Sequence, residues 1–220
     1  MEKDFWLNKW VKNEIGFHRQ EFNNYLTQFW GEVAKDKAAV FIPLCGKSRD
    51  MIYLSELGHD VIGVELSKEA TLAFFKENYL EYKISKIDEF DVFKSSKITI
   101  YVGSLFDFRP EWAASCRYLY DRASLVALPK LMRKQYAKII NQMNFESALM
   151  ITMDFEDETI GPPFTVKISE IYELFGNNTS SGSSQFGIDI LFTKKEQAHE
   201  LEVHGGKVSK RSEFALKLRF

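Results

Sequence analysis

Residues 39–50, AVFIPLCGKSRD, decide the fold that we expect for this chain. The apolar run at residues 40–42 is typical of a short buried strand. A tight turn follows over residues 43–48, and the pattern of a helix begins after it. A strand that leads into a helix through a turn containing glycine is the first unit of a nucleotide-binding α/β fold.

A second strand is predicted over residues 61–64, and Glu65 follows it directly. An acidic side chain at the tip of the second strand lies about where a bound nucleotide presents its ribose hydroxyls. The Glu65 carboxylate can accept hydrogen bonds from both hydroxyls, whereas it would repel a phosphate at the same place. The sequence therefore predicts a cofactor with a free ribose.

The composition is that of one ordinary globular domain. The chain has 220 residues, of which 45% are hydrophobic and 27% are charged, and its formal net charge is −2. A chain of this length can bury one sizeable core, and its charge balance indicates no general affinity for nucleic acid or acidic membranes. Aromatic residues make up 15% of the chain, which predicts an aromatic core or pocket wall.

The two cysteines, Cys45 and Cys116, form neither a metal-binding spacing nor a disulfide framework. They favour a reducing compartment, and we expect no bound metal. The N-terminus lacks the apolar run of a signal peptide, and no segment has the roughly 18 apolar residues of a membrane span. We therefore expect a cytoplasmic protein with no nucleic-acid or membrane partner. Nothing in the sequence demands an oligomer, so we expect a monomer.

Hydrophobic periodicity predicts the order of helices and strands. Two helices with aromatic stripes occupy residues 4–15 and 20–35, and five β-then-α units follow. Two further strands close the chain with no helix between them. Strands are expected over residues 39–44, 61–65, 98–102, 117–121, 147–154, 186–194 and 212–219. This order predicts a seven-stranded, mostly parallel sheet whose last strand is antiparallel, with helices on both faces.

The whole chain, residues 1–220, is expected to form one domain. Residues 38–220 would form the core, and residues 1–37 would form a helical lid that excludes water. The polar stretches at residues 81–97 and 195–211 are interpreted as connections, and the first of them leaves open one short strand. The tract GNNTSSGSSQ at residues 176–185 has the composition of a flexible connector.

The ends of the predicted parallel strands supply candidates for a binding site, because open α/β sheets bind ligands at the carboxyl ends of their strands. The residues at these positions are Leu44–Lys47, Glu65, Gly103–Leu105, Asp121–Ala123, Asp154 and Gly161–Phe164.

The turn after the first strand differs from the G-x-G-x-x-G fingerprint of dinucleotide-binding proteins. It contains one glycine, Gly46, and Pro43 removes a backbone donor. A pyrophosphate needs close backbone approach at several points, so this turn disfavours a nicotinamide-dependent oxidoreductase. A nucleoside cofactor without phosphate fits better, and S-adenosylmethionine is the commonest molecule of that kind.

Several short segments follow one another along the chain and form a recognisable set. They are W-x-x-K-W (6–10), Phe17-His18, PLCGKS (43–48), GH-x-V-x-GVELS (58–67), FF-x-E (74–77), YDRASLVALP (120–129) and GPPF (161–164). In order and spacing this set resembles the thiopurine S-methyltransferase family. The resemblance runs from Trp6 to about Phe175 and is weaker in the final two strands. Each segment alone would be a weak signal, whereas the set is highly specific.

The resemblance implies a Rossmann-like class I methyltransferase that binds S-adenosylmethionine and releases S-adenosylhomocysteine. The residues that match the family's cofactor contacts are Trp6, Phe17, Leu44, Glu65, Ser104, Leu105 and Arg122. On the substrate side, the matching residues are Phe17, Pro162 and Phe164. Many bacterial members carry an acidic residue where this chain has Ser104, which leaves the contact to the adenine amine open.

The activity that the resemblance implies is S-methylation of thiopurines, aromatic thiols and related soft nucleophiles, with selenium and tellurium compounds among them. An anionic nucleophile and a cationic donor become two neutral products, so a dry pocket that aligns them favours the transition state. Arg122 is the candidate catalytic residue, because a fixed cation can stabilise a bound thiolate. Cofactor anchoring by the same side chain is equally compatible.

Other interpretations remain open at this stage. A halide or thiocyanate methyltransferase would share the sheet, and a non-catalytic module would bind S-adenosylmethionine without turnover. Single residues also have simpler roles: Glu65 as a surface carboxylate, Arg122 as the ion-pair partner of Asp121, Cys45 as a small buried residue and His18 as a structural residue.

Overall fold

The computed structural model describes residues 3–159, 161–176, 186–196 and 210–220. The strands are β1 Ala39–Pro43, β2 Val61–Glu65, β3 Lys83–Ile87, β4 Phe90–Lys94, β5 Ile98–Val102, β6 Cys116–Arg122, β7 Ser147–Phe155, β8 Gly187–Glu196 and β9 Arg211–Arg219. The helices are α1 Lys3–Val11, α2 Asn24–Val33, α3 Asp50–Glu56, α4 Lys68–Glu77, α5 Ser124–Ala127, α6 Lys130–Asn141 and α7 Ile168–Phe175. Two short 3₁₀ turns lie at Leu105–Asp107 and Pro110–Ala113.

The described strands form one sheet in the order β3-β4-β5-β2-β1-β6-β7-β9-β8. Its centre is parallel: β1 pairs with β2 and β6, β2 with β5, and β6 with β7. The last strand, β9, is antiparallel to both β7 and β8 and lies between them, as predicted. The strand order reverses between β1 and β6, so their carboxyl ends flank the position where such sheets bind ligands.

The sheet has nine described strands rather than the predicted seven. All seven predicted strands are present. Residues 81–97, interpreted as a connection with room for one short strand, contain two strands, the antiparallel hairpin of β3 and β4. This hairpin extends the sheet beyond β5, and Phe90 and Phe93 of β4 are buried. Every residue of β3 is exposed, so this edge strand lacks the apolar alternation that reveals a half-buried strand.

The sequence predicts that Ser67 and Ser169 cap helices over about residues 68–80 and 169–176, and that Gly58 ends a helix over about residues 48–57. These helices are present, with differences at their ends. The Ser67 hydroxyl caps α4 by accepting from the Ala70 N–H at 3.1 Å, as predicted. Ser169 does not cap α7, because this helix begins one residue earlier and its N-cap position is Lys167. Gly58 follows α3 with φ of 101°, in agreement with its predicted role as a helix stop.

The two faces of the sheet are covered by different helices. On one face, α2 packs against apolar strand residues through Leu26, Phe29, Trp30 and Val33. On the other face, α6 and α7 contribute their own buried residues, among them Tyr136. The predicted lid therefore divides into two parts, since α2 belongs to the core whereas α1 contributes no buried residue.

No helix in the described part of the chain is long and apolar enough to cross a membrane. The predicted connector at residues 176–185 and the polar segment at residues 195–211 lie largely outside the described residues.

Candidate active site

The Glu65 carboxylate holds the turn after β1. The residue is only 5% exposed, its Oε2 accepts the Gly46 N–H at 2.7 Å, and its Oε1 accepts the Ser67 N–H at 2.8 Å. Gly46 has φ of 55°, in the left-handed region that favours glycine. The sequence predicted Glu65 as a ribose acceptor, and the structure adds that the same side chain connects β2 to the neighbouring turn.

The surroundings of Glu65 fit a nucleoside better than a phosphate. Burial raises the pKa of Glu65, while the N–H groups of Ser67 and Gly46 oppose that shift. Each carboxylate oxygen has a second acceptor position besides the N–H it already binds, so it can still accept from a sugar hydroxyl. The Gly46 N–H is engaged by the carboxylate, so the turn does not offer this donor to a pyrophosphate.

Leu44, Ser104 and Leu105 lie at the same edge of the sheet as Glu65. Leu44 follows β1 with φ of 46°, and Ser104 and Leu105 follow β5. Leu105 is buried, and the Ser104 hydroxyl accepts from the Phe106 N–H at 3.3 Å. Because β2 lies between β1 and β5, these residues flank Glu65 on both sides.

Aromatic residues of the N-terminal segment cover this edge. Trp6 and Trp10 of α1 both pack edge-on against Phe17, with ring centroids 5.7 and 5.4 Å apart from it. A Cβ placed on Gly46 would lie 3.2 Å from Cζ2 of the Trp10 indole, so α1 lies directly against the turn after β1. At the start of α1, Lys3 forms an ion pair of 3.3 Å with Asp107, beyond β5. The cover therefore extends from the β1 turn to the loop after β5.

Arg122 connects the end of β6 to this cover. Its Nη2 donates to the Phe17 carbonyl oxygen at 3.2 Å. The Asp121 side chain is buried and accepts from the Ser124 N–H at 3.0 Å and from the Tyr136 hydroxyl at 2.5 Å. Successive side chains of a strand point to opposite faces, so the ion pair considered between Arg122 and Asp121 does not form.

The loop that contains Pro162 and Phe164 is attached beside the end of β6. The Phe164 N–H donates to the Val126 carbonyl oxygen of α5 at 2.7 Å. The peptide bonds before Pro162 and Pro163 are both cis, and a Cβ on Gly161 would overlap the Phe164 ring. Glycine is therefore required at this position, and the loop is held close to the strand end that carries Arg122.

His18 is a member of this region to which the sequence assigned no function. Its Nε2 is buried and has no hydrogen-bond partner among the described residues. Burial lowers the pKa of His18, and the positive charges of Lys47 and Arg122 act in the same direction, while Glu77 and Asp50 oppose them. The sequence motif Phe17-His18 was the only signal that could have drawn attention to it.

Cys45 lies under the turn rather than on its surface. Burial raises the pKa of its thiol, and the negative charge of Glu65 adds to this effect. A Cβ on Gly63 would come within 2.8 Å of the Cys45 sulfur, so the strand beneath the turn has no room for a side chain there. A buried thiol with a raised pKa is a poor nucleophile, which agrees with the interpretation of Cys45 as a packing residue.

One groove outside this edge of the sheet contains none of the predicted site residues. It has a volume of about 550 Å³ and lies on the outer surface of α6 and α7, where it is lined mainly by lysine, glutamate and amide side chains. Within the described ranges, no group of histidine, cysteine, aspartate or glutamate side chains could hold a metal ion.

Comparison with known proteins identifies the family. The family model described as thiopurine S-methyltransferase matches residues 1–210. The chain belongs to the thiopurine S-methyltransferase family. It is 40% identical over 180 residues to a protein named thiopurine S-methyltransferase from Pseudomonas fluorescens, covering 80% of this chain and 81% of that protein. A protein of the same name from Shewanella frigidimarina is 42% identical over 170 residues, which cover 76% of this chain and 78% of that protein.

Methyltransferases are among the solved structures whose fold is similar to that of this chain. A SAM-dependent methyltransferase from Anabaena variabilis superposes with a TM-score of 0.60 at 14% identity, covering 99% of this chain and 94% of that one. The magnesium protoporphyrin IX methyltransferase from Synechocystis with bound SAH has a TM-score of 0.59 at 10% identity, with 97% and 99% covered. At these identities the likeness concerns the fold alone, which is the Rossmann-like class I methyltransferase fold.

The family and the fold together make this chain an S-adenosylmethionine-dependent methyltransferase. The cofactor supplies an electrophilic methyl group on a sulfonium. The residues of the chain that would hold it lie at one edge of the sheet: Glu65 at the ribose, Leu44 and the pair Ser104-Leu105 on either side, and Trp6 above. The assignment of these individual contacts stays a prediction from the family motif.

We expect Glu65→Ala to raise the Kd for S-adenosylhomocysteine by about tenfold to a hundredfold, the usual effect of losing hydrogen bonds to a charged acceptor. Titration calorimetry measures this Kd, and thermal unfolding establishes that the variant is folded at the temperature used. Glu56→Ala is the matched control, because Glu56 is an exposed carboxylate at the end of α3. Equal Kd values for Glu65→Ala and the parent would exclude Glu65 from the cofactor site.

Proposed function

We propose that this methyltransferase transfers the methyl group of S-adenosylmethionine to the sulfur of thiopurines and other small aromatic thiols. The observation that carries this proposal is the aromatic cover of Trp6, Trp10 and Phe17, which is connected to a cation, Arg122, through the Phe17 carbonyl. Relatives that carry the name thiopurine S-methyltransferase at about 40% identity support it.

The chemistry of S-methylation suits an apolar enclosure that contains a cation. A thiolate and a sulfonium lose their charges as the methyl group moves, so removal of water favours the transition state over the separated reactants. The enclosure must also hold sulfur, methyl carbon and sulfonium in one line at contact distance. Phe17, Pro162 and Phe164 would form the wall on the thiol side, since the GPPF loop is attached next to the end of β6.

Arg122 would hold the nucleophile in its anionic form. Aromatic thiols are partly ionised near neutral pH, and a guanidinium at the site favours the thiolate further by charge and by hydrogen bonding. No strong general base is then required. Selenium and tellurium compounds are softer nucleophiles of the same kind, so the same enclosure would accept them.

The state of the protein in the cell is a further part of this proposal. Cys45 and Cys116 are both free and buried, which is compatible with the reducing cytoplasm. We propose that the chain acts there as a monomer on small molecules, because every site residue named above comes from one copy.

A competition assay tests the proposed substrate class. The protein is incubated with S-adenosylmethionine and an aromatic thiol, with iodide or thiocyanate added in excess, and the methylated products are quantified. We expect the thioether to form with little inhibition by either anion. Preferential formation of methyl iodide or methyl thiocyanate would favour a halide or thiocyanate methyltransferase. Tight binding of S-adenosylhomocysteine without turnover of any nucleophile would indicate a non-catalytic module.

Arg122→Ala should slow methylation of weakly acidic thiols more than that of thiols ionised before they bind. A nearby cation lowers the pKa of an acidic group by about 1 to 3 units. For weakly acidic thiols we therefore expect kcat/KM to fall roughly tenfold or more at neutral pH, and we expect the difference from the parent to become smaller at alkaline pH. Arg109→Ala is the control, because Arg109 is an exposed partner of Asp88. If the rate of methylation falls by the same factor for both classes of thiol at every pH, Arg122 anchors the cofactor and does not stabilise a thiolate.

Deletion of residues 1–19 should abolish turnover while the core stays folded, because α1 contributes no buried residue. We expect kcat/KM to fall by about a hundredfold or more, since water enters and alignment is lost. Circular dichroism and thermal unfolding check the fold. The variant Lys3→Ala, which removes only the ion pair with Asp107, serves as the control. Unchanged turnover in the deletion variant would refute the lid.

A further inference from the structure

A buried hydroxyl on α6 belongs to a hydrogen-bond network that reaches both strand ends at the switch point. The Tyr136 ring is fully buried, and its Oη donates to Oδ2 of Asp121 at 2.5 Å. The other carboxylate oxygen accepts the Ser124 N–H at 3.0 Å. The Ser124 hydroxyl in turn donates to the Pro43 carbonyl oxygen at 3.2 Å, at the end of β1. The network therefore connects α6, the end of β6 and the end of β1.

The two strand ends that this network joins have unfavourable backbone conformations. Leu44, directly after Pro43, has φ of 46°, and Ala123, directly after Arg122, has φ of 64°. Residues with a Cβ adopt the left-handed region only where the surrounding structure compels them to. In the β6 turn, the Ala123 N–H donates to the Ile151 carbonyl oxygen at 3.1 Å, and the network adds the bond from the Ser124 N–H to Asp121.

We infer that Tyr136 is a positioning residue of the methyl-transfer site, which acts through Asp121 and Ser124 to fix the orientation of Arg122 and Leu44. This inference rests on the proposed function, because it takes both of these residues as members of the site. Because the Tyr136 side chain is fully buried, it would act on the site without touching cofactor or thiol. Its hydroxyl orients the Asp121 carboxylate, which holds the turn after β6. Through Ser124 it also holds the turn after β1 in place.

Loss of the Tyr136 hydroxyl would change the structure of the turn after β6 more than the packing of the Tyr136 ring. Tyr136→Phe keeps the apolar volume but leaves the buried Asp121 carboxylate with one donor fewer. Burial already raises the pKa of Asp121, and the hydrogen bond from Tyr136 is the first of the interactions that oppose the shift. The carboxylate must then take up a proton or rotate toward another donor, and either change alters its bond to the Ser124 N–H.

The chain offers a matched control for this substitution. Tyr118 of β6 is also buried, accepts the Lys35 N–H at 3.1 Å and donates to Asp36 at 3.2 Å. These contacts lie near the amino end of β6, at the opposite edge of the sheet from the predicted site residues. Tyr118→Phe thus removes a buried tyrosine hydroxyl paired with an aspartate but leaves both turns unchanged.

The test compares the two variants by binding and by turnover at a temperature where thermal unfolding shows both folded. We expect Tyr136→Phe to raise the Kd for S-adenosylhomocysteine about tenfold, as for the loss of one charge-assisted hydrogen bond, and to lower kcat as well. Tyr118→Phe should change either quantity by less than about twofold, because it shares no partner with the site. Equal behaviour of the two variants would overturn the inference.

A double-variant cycle identifies the route through Ser124. Ser124→Ala removes the bond to Pro43, and we expect its effect on the Kd to be less than additive with that of Tyr136→Phe. Additive effects would refute a shared route. Should Tyr136→Phe fail to fold, Ser124→Ala compared with Tyr118→Phe decides the question alone, because an unchanged Kd would then contradict the inference.

These readouts separate this inference from the proposed function. Calorimetry with S-adenosylhomocysteine requires no turnover, so the positioning role is decided even if the parent protein methylates no thiol. In that case the proposed substrate class fails, whereas the comparison of Tyr136→Phe with Tyr118→Phe still stands.

Discussion

The bond between the Gly46 N–H and the Glu65 carboxylate joins the ends of two neighbouring parallel strands. Through this bond the buried Glu65 carboxylate holds a turn that contains only one glycine. The carboxylate thereby lies where the ribose of a bound nucleoside is predicted to contact the sheet. The second oxygen binds the Ser67 N–H just before α4, so one side chain determines the start of two loops. The sulfur of Cys45 fills the space beneath, which Gly63 leaves open. The edge of the sheet where the cofactor is predicted to bind therefore depends on this contact.

Charged side chains attach the N-terminal segment to that edge through its backbone. Arg122 binds the Phe17 carbonyl, Arg49 binds the Gln20 carbonyl at 3.1 Å, and Asp50 accepts the Asn23 N–H at 2.8 Å. These bonds constrain the backbone while the aromatic side chains remain directed at the turn and at one another. Because α2 is part of the core and α1 is not, the segment between them can bring an apolar surface over the site without disturbing the sheet.

Strained backbone occurs at both points where the chain leaves the two strands that flank the switch point. Leu44 and Ala123 both adopt positive φ although each carries a Cβ, and they follow the two strands that flank the switch point. A dinucleotide-binding protein meets the same geometric demand with a glycine-rich loop. In this chain, buried hydrogen bonds hold the turns instead. The central ones are those that Asp121 accepts from the Ser124 N–H and the Tyr136 hydroxyl.

The sequence by itself determined the alternation of strands and helices, the seven strands of the core, the place of Glu65 and the family. These features depend on short-range periodicity and on motifs whose residues are close together in the chain. Tertiary structure alone decided that residues 81–97 form a hairpin, that α2 belongs to the core, and that Arg122 binds the Phe17 carbonyl. Arg122 and Phe17 are 105 positions apart, and Tyr136 is 15 from Asp121. No local pattern encodes such pairs, because the free energy of each contact arises only when the packed sheet brings its partners together and removes water from them.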